Sequence, residues 1–218
     1  GNKRGASGVF RPVFNSPGGT GGILANHAFF NISGNNVNIS NISIDMDVAN
    51  ALAFRIRANN TNITSVNISG TTSVSGHFID VLESKNLMIG RTYLNGTSGI
   101  ALRVRNSSNV SMLNNSIFNV SIGINLENTN DSLLLDNVIN HTLSFAYHFN
   151  ISVRNNLTNN TAKNGTIGFA FNASSASMSL NNASDNSVNQ YQFVDQSNVS
   201  FNNTNFVNGS AGIADLKA

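Results

Sequence analysis

Apolar and polar residues alternate along most of this chain, in short bursts that return at a nearly fixed interval. One burst is an apolar–x–apolar triplet: Val37-Asn38-Ile39, Leu87-Met88-Ile89, Val110-Ser111-Met112, Ile151-Ser152-Val153, Met178-Ser179-Leu180 and Val199-Ser200-Phe201. Paired polar residues recur after it, as Asn114-Asn115, Asp136-Asn137, Asn155-Asn156, Asn181-Asn182 and Asn202-Asn203. A second burst opens on a small residue, as in Ala51-Leu52-Ala53-Phe54, Gly99-Ile100-Ala101-Leu102, Gly123-Ile124-Asn125-Leu126 and Gly168-Phe169-Ala170-Phe171. Its anchors, Phe54, Ile79, Leu102, Leu126, Phe149, Phe171 and Phe193, lie 22–25 residues apart. Alternation with period two predicts strands, and self-similarity at a fixed period predicts a stacked repeat.

Helical periodicity is hard to find, and Asn and Ser are poor helix formers. A leucine-rich repeat has a similar period but needs a run of leucines that this chain lacks. The pattern therefore predicts an all-β fold, a parallel β-solenoid of about eight rungs of 22–25 residues. Two inward columns follow from the alignment: the anchors above, and Ile39, Ile63, Ile89, Met112, Leu134, Val153, Leu180 and Phe201. The paired asparagines fall where the chain must turn. Asparagine tolerates the left-handed conformation there, and its amide can bond its equivalent one rung away. Asn114, Asn115, Asn137, Asn155, Asn156, Asn181, Asn182, Asn202 and Asn203 are thus expected to form a structural ladder. Residues 1–28 read as an extended segment with a Gly-rich loop, a candidate subunit contact, and residues 29–218 as the β-helix domain.

The combination of apolar-Ser/Asn-apolar-Asn-Asn with Gly-Ile-x-Leu resembles right-handed parallel β-helix proteins of the pectate-lyase-like superfamily, with their NosD-type repeats, over about residues 29–216. That scaffold carries lyases, glycosidases, adhesins and structural fibres, so the resemblance implies a fold and leaves activity to individual residues. Its enzymes hold clustered carboxylates, with Ca²⁺ and a basic residue in lyases or paired acids in hydrolases.

This chain has ten acids in 218 residues. Asp45 and Asp47 are the only close pair, with no acid evident beside them in a neighbouring rung, and a solvated polar face is the expectation. The rung alignment places Arg55, Asp80, Arg103 and Glu127 directly after Phe54, Ile79, Leu102 and Leu126. This predicts an outward ionic ladder of alternating sign that sets register, at roughly 0.2–1 kcal/mol per pair. Arg57 and Arg105 share the next outward column, with Leu82 between them, as a candidate contact for an anionic partner. His27, His77, His141 and His148 share no metal-ligand spacing and are expected at the surface or in turns. The stretch Gly18-Gly19-Thr20-Gly21-Gly22 lacks a following Gly-Lys-Ser/Thr, and no Gly-x-Ser-x-Gly elbow occurs. No catalytic residue, metal or cofactor is expected, and the chain reads as a non-enzyme.

Composition sharpens the setting. Charged residues make up 10% of the chain and apolar ones 40%, which argues against intrinsic disorder. Without cysteine there is no disulfide framework and no thiolate metal site. A net charge of +2 without Lys/Arg runs predicts no nucleic-acid partner, and no apolar run is long enough for a membrane span. The start lacks both an initiator Met and an apolar signal core, which predicts a processed or trimmed end.

Asparagine occupies 41 positions and Ser plus Thr another 41. Asn-x-Ser/Thr occurs 22 times against about eight by chance, while the reversed Ser/Thr-x-Asn occurs nine times. The asymmetry predicts N-glycan acceptors, with Asn31, Asn38, Asn62, Asn67, Asn106, Asn109, Asn119, Asn150, Asn164, Asn172, Asn198 and Asn208 as candidates. A cysteine-free solenoid dense in such sites is expected outside a cell or on its surface, and is similar to archaeal surface-layer, sheath and fibre proteins. Neither terminus shows an amphipathic capping helix. The expected function is a self-assembling glycosylated subunit of a filament, sheath or surface layer, packing end to end or laterally. The alternatives are a carbohydrate-binding or polysaccharide-cleaving β-helix, with Asp45, Asp47 and the Arg columns in its groove, and a trimeric receptor-binding spike segment.

Overall fold

The computed structural model describes residues 13–15, 28–46, 52–70, 76–202, 206–208 and 213–216. Among them there is no helix; the chain is a parallel β-solenoid whose turns each cross three faces. The first face stacks Ala28–Ile32, Leu52–Ile56, His77–Leu82, Ile100–Arg105, the ends of Ser116–Glu127 and Val138–Asn150, then Ile167–Asn172, Asn189–Val194 and Ile213–Leu216. The second stacks Asn38–Ser40, Thr61–Thr64, Lys85–Gly90, Ser108–Leu113, Leu133–Leu135, Asn155–Thr158, Ser175–Ser179 and Asn198–Asn202. The third stacks Val13–Asn15, Ser43–Met46, Asn67–Gly70, Tyr93–Asn95, the beginnings of the two long strands, then Thr161–Lys163, Asn182–Ser184 and Phe206–Asn208. Those two long strands bend around a corner and join the first and third faces into one sheet. Every pairing is parallel.

Register alignment resolves the inward positions of the first face into two columns. One runs Phe30, Phe54, Ile79, Leu102, Ile124, Tyr147, Phe169, Tyr191. The other runs Ile32, Ile56, Val81, Val104, Leu126, Phe149, Phe171, Phe193. The single column expected from the sequence begins in the first and ends in the second, slipping by two residues between Leu102 and Leu126. A shift of two keeps side chains on the same face, so alternation alone cannot detect it. On the second face the column is Ile39, Ile63, Ile89, Met112, Leu134, Leu157, Met178 and Phe201, so Leu157 and Met178 replace the expected Val153 and Leu180. Leu180 instead turns the corner with φ 55° and is 47% exposed.

Strand spacing places like rings face to face. Tyr147 and Phe169 stack at 4.6 Å and 6°, and Phe149 and Phe171 at 4.8 Å and 9°. The buried Tyr147 hydroxyl donates to the Asn137 carbonyl at 2.9 Å, and burial pushes its pKa upward. Small residues recur where the first face begins because the backbones there approach closely. A Cβ on Gly123 would lie 2.6 Å from the Ala146 carbonyl oxygen.

Two polar ladders hold the corners flanking the second face. At its end, Asn115, Asn137, Asn160 and Asn181 stack behind Thr92. Asn115 donates its backbone N–H and Nδ2 to Asn137 Oδ1 (3.1 and 2.9 Å); Asn137 does the same to Asn160 (3.1 and 2.9 Å), and Asn160 to Asn181 (2.9 and 3.0 Å). The second Nδ2 hydrogen goes to a core-side carbonyl, as from Asn137 to Met112 at 2.9 Å. A left-handed residue precedes each rung: Arg91, Asn114, Asp136, Asn159 and Leu180. The ladder therefore differs from the expected one. Asn160 belongs to it, whereas Asn155 opens the second face and accepts from the Ser132 N–H at 3.1 Å. Asn156 and Asn202 are exposed, Asn182 is half-buried, and Asn203 lies outside the described residues. At the other corner a hydroxyl ladder absent from the sequence reading runs through Ser84, Ser107, Thr129, Ser152, Ser174 and Ser197. Backbone N–H groups donate to the next hydroxyl at 3.0–3.3 Å.

The ladder and surface asparagines are expected to differ sharply in stability. Asn137→Ala orphans two buried donors and a carbonyl and should lower the unfolding free energy by about 2–4 kcal/mol. Asn156→Ala should change it by less than about 0.5 kcal/mol. Urea unfolding followed by circular dichroism checks both.

Candidate functional site

The charged groups gather on the outside of the first face. Its outward positions, turn by turn, are Asn31; Arg55; Asp80 and Leu82; Arg103 and Arg105; Asn125 and Glu127; His148 and Asn150; Ala170 and Asn172; Gln192 and Val194. The register corrects the expected ladder at its last step. Arg103 faces Asn125, and Glu127 lies beside Arg105. Although Arg103 stands opposite Asp80 and Arg105 opposite Glu127, the hydrogen-bonded ion pairs are diagonal: Arg103 Nη2 reaches Glu127 Oε2 at 3.1 Å, and Arg105 Nη2 holds both Asp80 oxygens at 3.1 and 3.0 Å. Long side chains span diagonal neighbours in a sheet, so the slip leaves opposite charges in contact.

Hydrogen-bond polarity then fixes the rest. An Arg only donates, so Arg103 Nη1, at 3.1 Å from His77 Nε2, requires that nitrogen to be unprotonated and His77 neutral. Asn125 Nδ2 donates to Glu127 Oε1 at 2.7 Å, leaving Asn125 Oδ1 to accept from His148 Nδ1 at 3.0 Å. The Phe145 ring stacks on His148 at 4.7 Å. Burial lowers the pKa of both histidines; for His77 Asp80 opposes this shift, while Arg103 and Arg105 reinforce it. Asp80 and Asn125 are only 8% and 3% exposed, covered by these neighbours. The result is a preorganised polar strip spanning four turns. Sequence reading placed His77 and His148 at the surface without linking them to the acids and arginines. His148 occupies an outward repeat position that correct register would have joined to the acids and arginines. His77 opens its strand in register with Leu52 and Ile100, two residues before the inward Ile79, so alternation does not reveal it.

The other candidates lie elsewhere. Asp45 is exposed on the third face, where Ser69 Oγ donates to it at 3.4 Å, so it shares no groove with the Arg columns. Asp47 and His27 lie outside the described residues, and His141 is exposed in a bent strand. Arg154 pairs with Asp131 on the surface at 2.7 Å. Among the described residues no group of three His, Cys, Asp or Glu could hold a metal ion, and no helix is long and apolar enough to cross a membrane.

Eleven of the twelve glycan candidates have described side chains, and none is buried; the Asn208 side chain lies outside the described residues. The seven buried asparagines, Asn115, Asn125, Asn137, Asn155, Asn160, Asn181 and Asn186, head no Asn-x-Ser/Thr motif. For five of them alternation accounts for this separation, because the residue two places beyond an inward Asn also faces inward and is apolar, as in Asn137 and Ile139. The exceptions are the outward Asn125 and Asn186, which is followed by the exposed Val188. The fold also uses some motif hydroxyls: Ser152 and Ser174 belong to the corner ladder and donate to the carbonyls of Asn150 and Asn172 at 3.1 and 2.7 Å.

The histidine shifts carry a sign. Their folded pKa values lie below the ordinary 6.5, so the unfolded chain binds more protons and stability falls as pH drops through that value. Urea midpoints measured from about pH 8 to about pH 5 should be flat and then decline, with His77→Gln and His148→Gln each flattening the decline.

Neither a protein-family model nor a curated protein matches the sequence. Among solved structures, the chain is similar to the periplasmic alginate epimerase AlgG, at 14% identity across 78% of this chain and 69% of that one, with a TM-score of 0.43. The likeness lies in the β-helix scaffold. It corrects the expectation of a non-enzyme, since a scaffold similar to this one belongs to an epimerase and sparse acids are no ground for excluding catalysis. It assigns no substrate or reaction to this chain.

Proposed function

We propose that this chain is an extracellular, N-glycosylated β-helix that engages an acidic polysaccharide along the outside of its first face. The observation that carries the reading is the strip from His77 to His148, where two arginines, two carboxylates, an amide and two imidazoles are hydrogen-bonded to one another on the outside of a parallel sheet. An extended polymer lying along the stack would meet one set of polar groups per turn. With Arg55 and the exposed Arg57 on the preceding turn, the positive charges outnumber the two carboxylates, which favours a polyanion. The abundance of surface Asn-x-Ser/Thr motifs, and the similarity in this respect to archaeal surface proteins, supports the extracellular setting and the covalent glycans.

Affinity electrophoresis through gels containing an acidic or a neutral polysaccharide tests the strip. Retardation by the acidic polymer alone, weakened about tenfold by Arg57→Ser and by Arg103→Gln with unchanged circular dichroism, is the expected result. Equal retardation by the neutral polymer, or binding untouched by either substitution, overturns it. Assembly into a filament or layer is a second reading, favoured by the ends of the second face, where Asn38–Ser40 and Asn198–Asn202 each pair with one strand among the described residues. Sedimentation at rising concentration should then show a series of multiples of the glycosylated monomer mass; a single species throughout overturns that reading.

A further inference from the structure

Surface asparagines that head glycan acceptor motifs are bonded to one another across adjacent turns. Asn62 Nδ2 donates to Asn38 Oδ1 at 2.8 Å, Asn119 to Asn95 at 2.9 Å, Asn164 to Asn140 at 2.9 Å and Asn172 to Asn150 at 3.0 Å. All eight head Asn-x-Ser/Thr. The polarity is the same each time: the later asparagine spends an Nδ2 hydrogen, and the earlier one offers only its oxygen. Two pairs sit in strict register; in the other two the later residue lies one place on, in the left-handed conformation.

N-glycosylation uses the atom that distinguishes the partners. The anomeric carbon of a glycosyl (pyro)phosphate donor bonds to Nδ2, its bond to the phosphate oxygen breaks, and one amide proton leaves with the phosphate or a base. The earlier Nδ2 has no protein partner among the described residues, whereas the later one must surrender or reorient a hydrogen bond. Stacked positions are also only about 4.8 Å apart, which crowds two sugars leaving the same strip of surface.

Resting on the reading that the chain is N-glycosylated, we infer that each stacked pair takes one glycan and that Asn38, Asn95, Asn140 and Asn150 are the acceptors. Asn62, Asn119, Asn164 and Asn172 stay unmodified as donors. Side-chain bonding between turns thus sorts acceptor motifs that are identical in sequence, and sets a minimum spacing between glycans.

Site-resolved mass spectrometry of tryptic glycopeptides from the secreted protein tests this, because Arg or Lys separates the members of every pair. The expected result is occupancy at the earlier asparagine, with the two occupancies of a pair summing to no more than one. Two variants separate hydrogen bonding from crowding. Ser40→Ala removes the acceptor motif at Asn38 but keeps its oxygen, whereas Asn38→Ala removes both. Occupancy at Asn62 should rise about fivefold more in Asn38→Ala than in Ser40→Ala. Equal rises in both, or full occupancy of both partners in the wild-type chain, overturn the inference and leave glycosylation standing. A chain with no glycan at any motif overturns both.

Discussion

Because parallel strands hydrogen-bond about 4.8 Å apart, each side chain in this solenoid is held against its counterparts in the turns before and after. Whatever occupies a position must be compatible with a near copy of itself. Apolar columns meet this easily, and flat rings meet it by stacking, as Tyr147, Phe169 and Tyr191 do. Polar groups can be buried only if they are self-complementary. An amide carries both donors and acceptors, so Asn137 gives to Asn160 and receives from Asn115 without a dangling group. Hydroxyls do the same at the opposite corner. A carboxylate has no donor and a guanidinium no acceptor, so neither can form such a column alone. The chain's low charge and its excess of Asn, Ser and Thr follow from that.

The same constraint explains what was legible in the sequence. Period-two alternation and the 22–25-residue repeat were enough for the fold, because every turn restates them. Register was harder. The slip between Leu102 and Leu126 leaves inward residues inward, and only the neighbours of the shifted residue reveal it. The ladder was misread where Asn155-Asn156 and Asn159-Asn160 compete within one turn. What separates them is the left-handed residue in front of the ladder position, Asn159 for Asn160, and φ is not written in the sequence where any of Arg, Asp, Leu or Asn can adopt it. The hydroxyl ladder went unseen for a related reason. Single Ser or Thr residues at corners look like ordinary turn residues until they are stacked.

The polar strip is where self-complementarity is given up. Asp80, Arg103 and Glu127 fall on consecutive turns, and each needs a partner of opposite kind from the next turn. Diagonal pairing supplies it. An amide and two imidazoles complete the set, being the side chains that can donate and accept at a junction between unlike groups. Such an arrangement is specific to these turns and is not propagated: the equivalent positions further on are Ala170 and Gln192. In a molecule otherwise built from repetition, a non-repeating charged patch is the position that stacking does not explain.

The acceptor motifs at Asn150 and Asn172 lie on the same face as the strip, and this limits each reading through the other. Asn150 follows Glu127 in the same outward column, and Asn172 follows Asn150. A sugar on Asn150 would therefore stand at the His148 end of the strip, beside the amide and imidazole and away from the arginines. A polymer bound along the face would be stopped at that turn and confined to the side of Arg55, Arg57, Arg103 and Arg105, where the positive charge lies. The two modes are compatible only if the glycan marks the boundary of the binding strip. Asn31, another acceptor candidate, directly precedes Arg55 in the adjacent outward column, so a sugar there would bound the strip at its arginine end.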